Sequence, residues 1–311
     1  MELIMVGHFS IPRCMNLLLA VALMQALACR APRDPDGIAR RFDALNAVIK
    51  TAATLSAGAR AAAVAAAYDE LFAALPASGR AGHRTSDELA LLFRAASLTA
   101  SHTADERHVR AMTSVLDALD ERGLAANAEY GRMYETFVTA RMLSDAREFA
   151  RRHPLVELEA LPELDEAIGL AVGRPTEWTV DPDKRALLRR NADLESVQIV
   201  VVSHPRCHFS QAAMREIQAD PLLGEVFRAH ARWLAPPAGI DFDVIQKWNS
   251  MHPHQETTLA YRREEWPMID TWDTPTFYFL KDGVVAAKVT GWPREGRRAE
   301  VIAAARQVGL L

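Results

Sequence analysis

Residues 197–210 read Val197-Gln-Ile-Val-Val-Val-Ser203-His-Pro-Arg206-Cys207-His-Phe-Ser210. The first seven form a nearly unbroken apolar, β-branched run, the pattern of a strand covered on both faces. The residues from Cys207 to about 217 read as a helix, so a buried central strand is expected to hand over to a helix at Cys207. A cysteine in the first turn of a helix faces unbonded backbone N–H groups and the positive end of the helix dipole, and both favour thiolate over thiol. His204, Arg206 and His208 crowd the same turn and are expected to favour the thiolate further. Cys207 is therefore the candidate nucleophile, with Arg206 and His208 as its tuners. The plainer reading, a small buried cysteine capping a strand, stands beside it.

Working outward, Thr274-Pro275-Thr276 is followed by Phe-Tyr-Phe-Leu280, then by Lys281-Asp282-Gly283 and by Val284-Val-Ala-Ala-Lys-Val-Thr290, with Gly291 after them. Asp-Gly between two apolar runs predicts a hairpin, because both residues tolerate positive φ. Together with Cys-His-Phe-Ser at 207–210, this stretch resembles the thioredoxin superfamily, with Ser210 in place of the second cysteine of its strand, Cys-x-x-Cys, helix arrangement. The resemblance covers roughly 175–311. It implies a cis-proline at Pro275 facing Cys207, and backbone groups of Thr274 and Pro275 that receive an extended substrate by strand addition. Element by element, the reading expects strands at 177–181, 197–203 and 242–248, helices at 183–191, 207–217 and 252–266, a hairpin at 276–290 and a last helix at 294–308. Residues 220–240 read as a helix-rich insertion ending in Pro236-Pro237.

Serine cannot supply a second thiolate. The resemblance thus implies monothiol chemistry: Cys207 forms a mixed disulfide with a protein or small-thiol disulfide, and an outside thiol releases it. A fold retained for binding alone, as a scaffold without turnover, is the rival expectation. Copper or zinc handling is a third, since His204, Cys207, His208, His252 and His254 are ligand types for those metals, although their spacing matches no standard ligand motif.

The chain has 311 residues, half of them apolar, and a formal net charge of −4. That is long enough for two domains and gives no basic patch for nucleic acid. Nothing in the sequence calls for a cofactor. At the N-terminus, Arg13 precedes the apolar run 17–27, which ends in Ala26-Leu27-Ala28. Charge, short apolar core and small-x-small residues describe a secretory signal peptide over 1–28, followed by a linker over 29–36. A periplasmic or secreted location is expected. Removal of 1–28 takes Cys14 with it and leaves Cys29 as the first mature residue, which opens a lipoprotein reading with Cys29 as the lipidated residue and the only route to a membrane. An unlipidated Cys29 is the alternative. Unpaired thiols are unusual in an oxidising compartment, which favours a reason for Cys207.

Residues 37–174 change to an alanine-rich amphipathic pattern. Ile38, Phe42, Leu45, Val48 and Ile49 share one helical face, as do Val64, Tyr68, Leu71, Phe72 and Leu75. Thr85-x-x-Glu88 and Thr103-x-x-Glu106 read as capping-box helix starts, Gly123 as a stop and Pro154 as the end of a last helix. Three helical hairpins result, faintly similar to tetratricopeptide-type repeats but without their signature residues, and 155–176 reads as a short helix and a linker. Stacked hairpins offer a surface for a protein partner. The fold class expected is α plus α/β: all-α hairpins over 37–174, then a mixed sheet flanked by helices over 175–311.

Overall fold

The computed structural model describes residues 37–75, 84–194 and 198–311. The expected signal peptide, the linker and Cys29 lie outside the described residues. Among those described, no helix is long and apolar enough to cross a membrane.

Six helices form the N-terminal layer: α1 (Ile38–Thr51), α2 (Ala57–Phe72), α3 (Ser86–Thr103), α4 (Glu106–Asp120), α5 (Asn127–Thr139) and α6 (Leu143–Arg152). They pair in sequence as three hairpins, and α3 lies at the centre in contact with α1, α2, α4 and α5. The burial follows the helical period. Ile38, Phe42 and Leu45 of α1 and Val64, Tyr68 and Phe72 of α2 are buried, each large side chain contributing about 1.5–3 kcal/mol. Thr85 and Glu88 form a reciprocal capping box at the start of α3, with Thr85 N donating to Glu88 Oε2 (2.7 Å) and Glu88 N to Thr85 Oγ1 (3.2 Å). The second expected box is not formed. Thr103 is the last residue of α3, and Asp105 caps α4 instead by accepting from Arg107 N at 2.9 Å. Thr103 is drawn away by its own helix, where its hydroxyl donates to the Thr99 carbonyl (3.0 Å).

The C-terminal part is an eight-stranded mixed sheet in the order β1-β3-β2-β6-β5-β4-β7-β8. Its strands are β1 (Glu163–Glu166), β2 (Thr176–Asp181), β3 (Ala186–Asn191), β4 (Ile199–Val202), β5 (Ala231–Ala235), β6 (Thr257–Ala260), β7 (Thr276–Lys281) and β8 (Val284–Thr290). Strand β4 sits between β5, parallel to it, and β7, antiparallel to it. The two-residue alternation of a strand sends Ile199 and Val201 to one face and Val200 and Val202 to the other, and all four are fully buried. The first face is covered by α7 (His208–Ala219), α8 (Pro221–His230) and α10 (Arg298–Gln307), through Met214, Ile217, Phe227 and Val301. The second is closed by Trp266 and Ile269. Asp282 (φ 52°) and Gly283 (φ 76°) make the β7–β8 turn, where a positive φ at both positions matches the twist of the paired strands.

Several expected elements of this half take another form. Residues 183–191 carry β3 instead of a helix, because β3 is sandwiched between β1 and β2 with its arginines facing acids across the strands: Arg190 opposite Glu177 and Arg189 opposite Glu166. Residues 242–248 belong to a helix, α9 (Phe242–Met251), which buries Phe242 and Ile245 one turn apart. Residues 252–266 hold β6 and a 3-10 turn, Arg263–Glu265, instead of a helix. Residues 220–240 contain α8 as expected, but also β5, whose Trp233, Leu234 and Ala235 are buried in the middle of the sheet. The short helix expected within 155–176 is replaced by the edge strand β1, parallel to β3.

The helical layer and the sheet share one apolar cluster, in which Phe137, Phe149 and Met133 meet Trp178, Leu259, Phe242 and Ile245. Arg141, just past α5, pins this junction. Its guanidinium donates to the carbonyls of Tyr261 (2.7 Å), Ala260 (3.0 Å), Gly239 (3.2 Å) and Val138 (3.0 Å), and its Cζ lies 4.4 Å from the Trp178 ring centroid. Burial lowers its pKa, and these carbonyls replace the water it has lost.

Candidate functional site

Strand β4 ends at Val202, and the turn from Ser203 to Cys207 carries the chain into α7. Cys207 is the N-cap residue, with extended backbone (φ −81°, ψ 113°), and its carbonyl accepts the first helical bond from Gln211 N at 3.0 Å. Its N–H donates back to the His204 carbonyl (2.9 Å), which closes the turn. The thiol is part-exposed, and it is the one free cysteine among the described residues. Across from it, the Thr274–Pro275 peptide bond is cis, and Cys207 Sγ lies 3.3 Å from the Thr274 carbonyl oxygen.

Partial burial of Cys207 opposes ionisation. Hydrogen bonds from the Thr274 side chain, from the backbone and hydroxyl of Ser210 and from the Phe209 N–H outweigh it, and the thiol pKa falls below its ordinary value of 9.0. Ser210 is buried, and its hydroxyl also accepts from His204 N at 3.4 Å, so the serine braces the turn as well as facing the sulfur.

The loop that presents Thr274 is fixed from behind. Tyr278 of β7 donates its hydroxyl to Asp270 Oδ1 (2.8 Å) and accepts from Thr271 N (3.1 Å). Asp270 is paired with Lys288 of β8 at 2.7 Å. Thr276 Oγ1 donates to the Asp273 carbonyl (2.7 Å), and Gly291 N to the Pro275 carbonyl (2.8 Å). The hairpin therefore sets the position of Thr274 relative to α7.

The flanking basic residues are engaged elsewhere. Arg206 turns onto Asp241, with Nε at 2.9 Å and Nη2 at 2.7 Å from Oδ1, and His204 Nε2 lies 3.2 Å from Asp241 Oδ2. The hydrogen bond with His204, reinforced by Arg206, brings the Asp241 pKa down to about 2. His204 Nδ1 accepts from Arg206 N at 3.2 Å, which leaves Nε2 as the protonated nitrogen that donates to Asp241. His208 packs on Phe209, ring centroids 3.8 Å apart, beside a Phe209 ring that is 46% exposed.

Asp241 and Glu159 were not readable as site residues. Asp241 stands in an ordinary Gly-Ile-Asp-Phe stretch and has φ 47°, a conformation that Asp tolerates better than most residues. Glu159 comes from the segment that leaves α6 and accepts from Phe242 N at 3.1 Å. Burial and the nearby Asp241 charge raise its pKa. His252 bonds to Gln218 (3.2 Å), and among the described residues no group of three or more His, Cys, Asp or Glu side chains is placed to hold a metal ion. The copper or zinc expectation therefore has no assembled ligand set.

The architecture and the site define a class: an α+β protein with a helical layer docked on a mixed sheet, and a single part-exposed thiol at a helix start beside a cis peptide. Comparison of the chain with protein-family models, with curated proteins and with solved structures finds no match.

Proposed function

We propose that the C-terminal part is a thioredoxin-like unit that carries out monothiol thiol–disulfide exchange through Cys207, on protein or small-thiol disulfides met by an exported protein. The observation that carries this reading is the Cys207 thiol, at the N-cap of α7 with its pKa lowered, 3.3 Å from the carbonyl of the cis Thr274–Pro275 peptide. The passage from central strand to Cys207 to helix, with β5 parallel on one side and the β7–β8 hairpin antiparallel on the other, supports it. On the far side of β5 lies β6, which follows it in the chain and stands between it and β2.

In the first step the Cys207 thiolate attacks one sulfur of a substrate disulfide. A bond from Sγ to that sulfur forms, the substrate S–S bond breaks, and the other substrate sulfur leaves as a thiolate that takes a proton from water. In the second, a thiolate from glutathione or from the client itself attacks the mixed disulfide and releases Cys207. Ser210 cannot take this second role, and its hydroxyl serves the thiolate as a hydrogen-bond donor.

The test is reduction of a glutathione-mixed disulfide and reactivation of a scrambled-disulfide protein, each with glutathione present. Cys207→Ser is expected to abolish both activities, and Ser210→Cys to release its mixed disulfide without added thiol. Equal activity of wild type and Cys207→Ser, or an inert wild type, rejects the reading in favour of a scaffold.

A further inference from the structure

Where the helical layer meets the segment between β6 and the cis peptide, the surface holds three cavities of about 320, 340 and 550 Å³. His102, near the end of α3, and Arg263, in the turn after β6, line all three, so the cavities adjoin at these two side chains. Cys207, Thr274 and Pro275 line none of them.

Four arginines and four acids line the three cavities, and two of the acids, Asp105 and Asp270, are paired with cations outside them. Arg263 is half-buried and makes no ion pair or side-chain hydrogen bond among the described residues; its exposed chain neighbour Glu264, which lines two of the cavities, faces it without a direct bond. Arg60 lines the largest cavity, and its Nη2 donates to the carbonyls of Ala53 (2.9 Å) and Leu55 (3.2 Å), which carry no net charge. Its Nε is buried without a protein partner. Burial, with Arg60 and Arg263 nearby, lowers the His102 pKa, so this imidazole is neutral at pH 7 and adds no charge beside the two arginines. The acids around the cleft are mostly spoken for. Asp105 bonds Arg107 and Asp270 bonds Lys288, while the exposed Glu135 shares a turn of α5 with the exposed Arg132.

One arm of the cleft is apolar. Ala57, Ala61, Pro267, Ile269 and Trp272 wall the 340 Å³ cavity, and Trp272 Nε1 is buried without a protein partner. Helix α2 begins at this wall, with Ser56, Ala57 and Gly58 lining it, which adds the positive end of a helix dipole. Cationic forks at one end and an apolar wall with a spare N–H donor at the other suit a ligand that is itself divided, with an anionic head and an organic body. The size falls in the range of small-molecule sites.

We propose that this cleft binds a small organic monocarboxylate, with its carboxylate held by Arg263 and Arg60 and its apolar body against the Pro267 to Trp272 wall. A planar guanidinium matches a carboxylate in a two-point hydrogen bond. The site is independent of the thiol chemistry, and its ligand enters no covalent step.

The experiment titrates phenylacetate and hexanoate into the full chain by calorimetry, with the neutral isostere phenylacetamide as the control. At least one carboxylate is expected to saturate a single site, with phenylacetamide weaker by about tenfold or more. Arg263→Met, which keeps the aliphatic stem, is expected to weaken the carboxylate by about tenfold. A Cβ at Gly58 meets nothing within 4 Å, so Gly58→Leu adds bulk at the cavity wall without changing charge and is expected to block binding. Cys207→Ser is expected to bind as wild type does, so this site and the thiol reading fail separately. Saturation by neither carboxylate, equal affinity for phenylacetate and its amide, or unchanged binding in a folded Arg263→Met chain overturns the proposal. If Arg263→Met does not fold, tight carboxylate binding by Gly58→Leu overturns it instead.

Discussion

At Cys207 the contest between burial and hydrogen bonding decides the charge on sulfur, and the hydrogen bonds prevail. The sequence pointed to Arg206 and His208 as the tuners. Arg206 is held by Asp241, and the hydrogen bonds that lower the thiol pKa come from Thr274, Ser210 and the Phe209 N–H. No spacing rule could reveal this, since Asp241 lies after β5 and Thr274 before β7, and only the fold brings them to the turn. Because the folded chain favours the thiolate, Cys207 adds stability that is fully present above the ordinary thiol value of 9.0 and is lost as pH falls through the lowered folded value. The same shift governs reactivity. Iodoacetamide modification of the folded chain is expected to rise with pH with its midpoint below pH 9.0, and Ser210→Ala is expected to move that midpoint upward by removing one hydrogen bond to sulfur. A wild-type midpoint at or above pH 9.0, or a midpoint unmoved by Ser210→Ala, contradicts this account.

Among the elements, the helices of the N-terminal layer were legible because most of them repeat their apolar face over three or more turns and Thr85-x-x-Glu88 marks the start of α3. Thr85 illustrates the value of such a signal. Thr85→Ala is expected to cost about 1 kcal/mol in urea unfolding, since it leaves the Glu88 N–H unbonded at the start of α3; a loss too small to measure shows that the cap is not contributing. The strand and helix around Cys207 and the hairpin at 276–290 were equally plain, one from its unbroken apolar run and the other from Asp282-Gly283. The outer sheet was not. Ala186-Leu-Leu-Arg-Arg-Asn191 is good helix-forming sequence, and it is a strand because β1 and β2 pair with it on both sides and Ala186 and Leu187 are buried there. Thr257-Thr-Leu-Ala260 is too short to show a period, and Phe242 and Ile245 fit a helix once α9 is seen to bury both against the shared core. Tertiary partners override local preference in each case.

For the whole molecule, the junction between layer and sheet depends on a residue in an uncommon conformation. Arg141 has φ 60°, a region that usually favours glycine, and holds it through four carbonyl contacts and the Trp178 face. Arg141→Met leaves those carbonyls without their donor and is expected to destabilise the chain by roughly 3 kcal/mol. Amide exchange should show the loss first at residues 138–142 and 239–241, and uniform protection across the junction would contradict the role given to Arg141. Gly239 is two residues from Asp241, so loosening this contact reaches the turn that carries Cys207. Ser210 has a consequence at this scale as well. At a fixed redox potential, a turn with two cysteines closes a disulfide on itself, with loss of two electrons and two protons, to an extent that no partner's concentration alters. With serine at 210 this turn has no such closed form, so any disulfide of Cys207 with a separate molecule is a bimolecular state whose population rises and falls with the concentration of that partner. A disulfide formed at this site would therefore depend on which partner is present and at what concentration, and not on the redox poise alone.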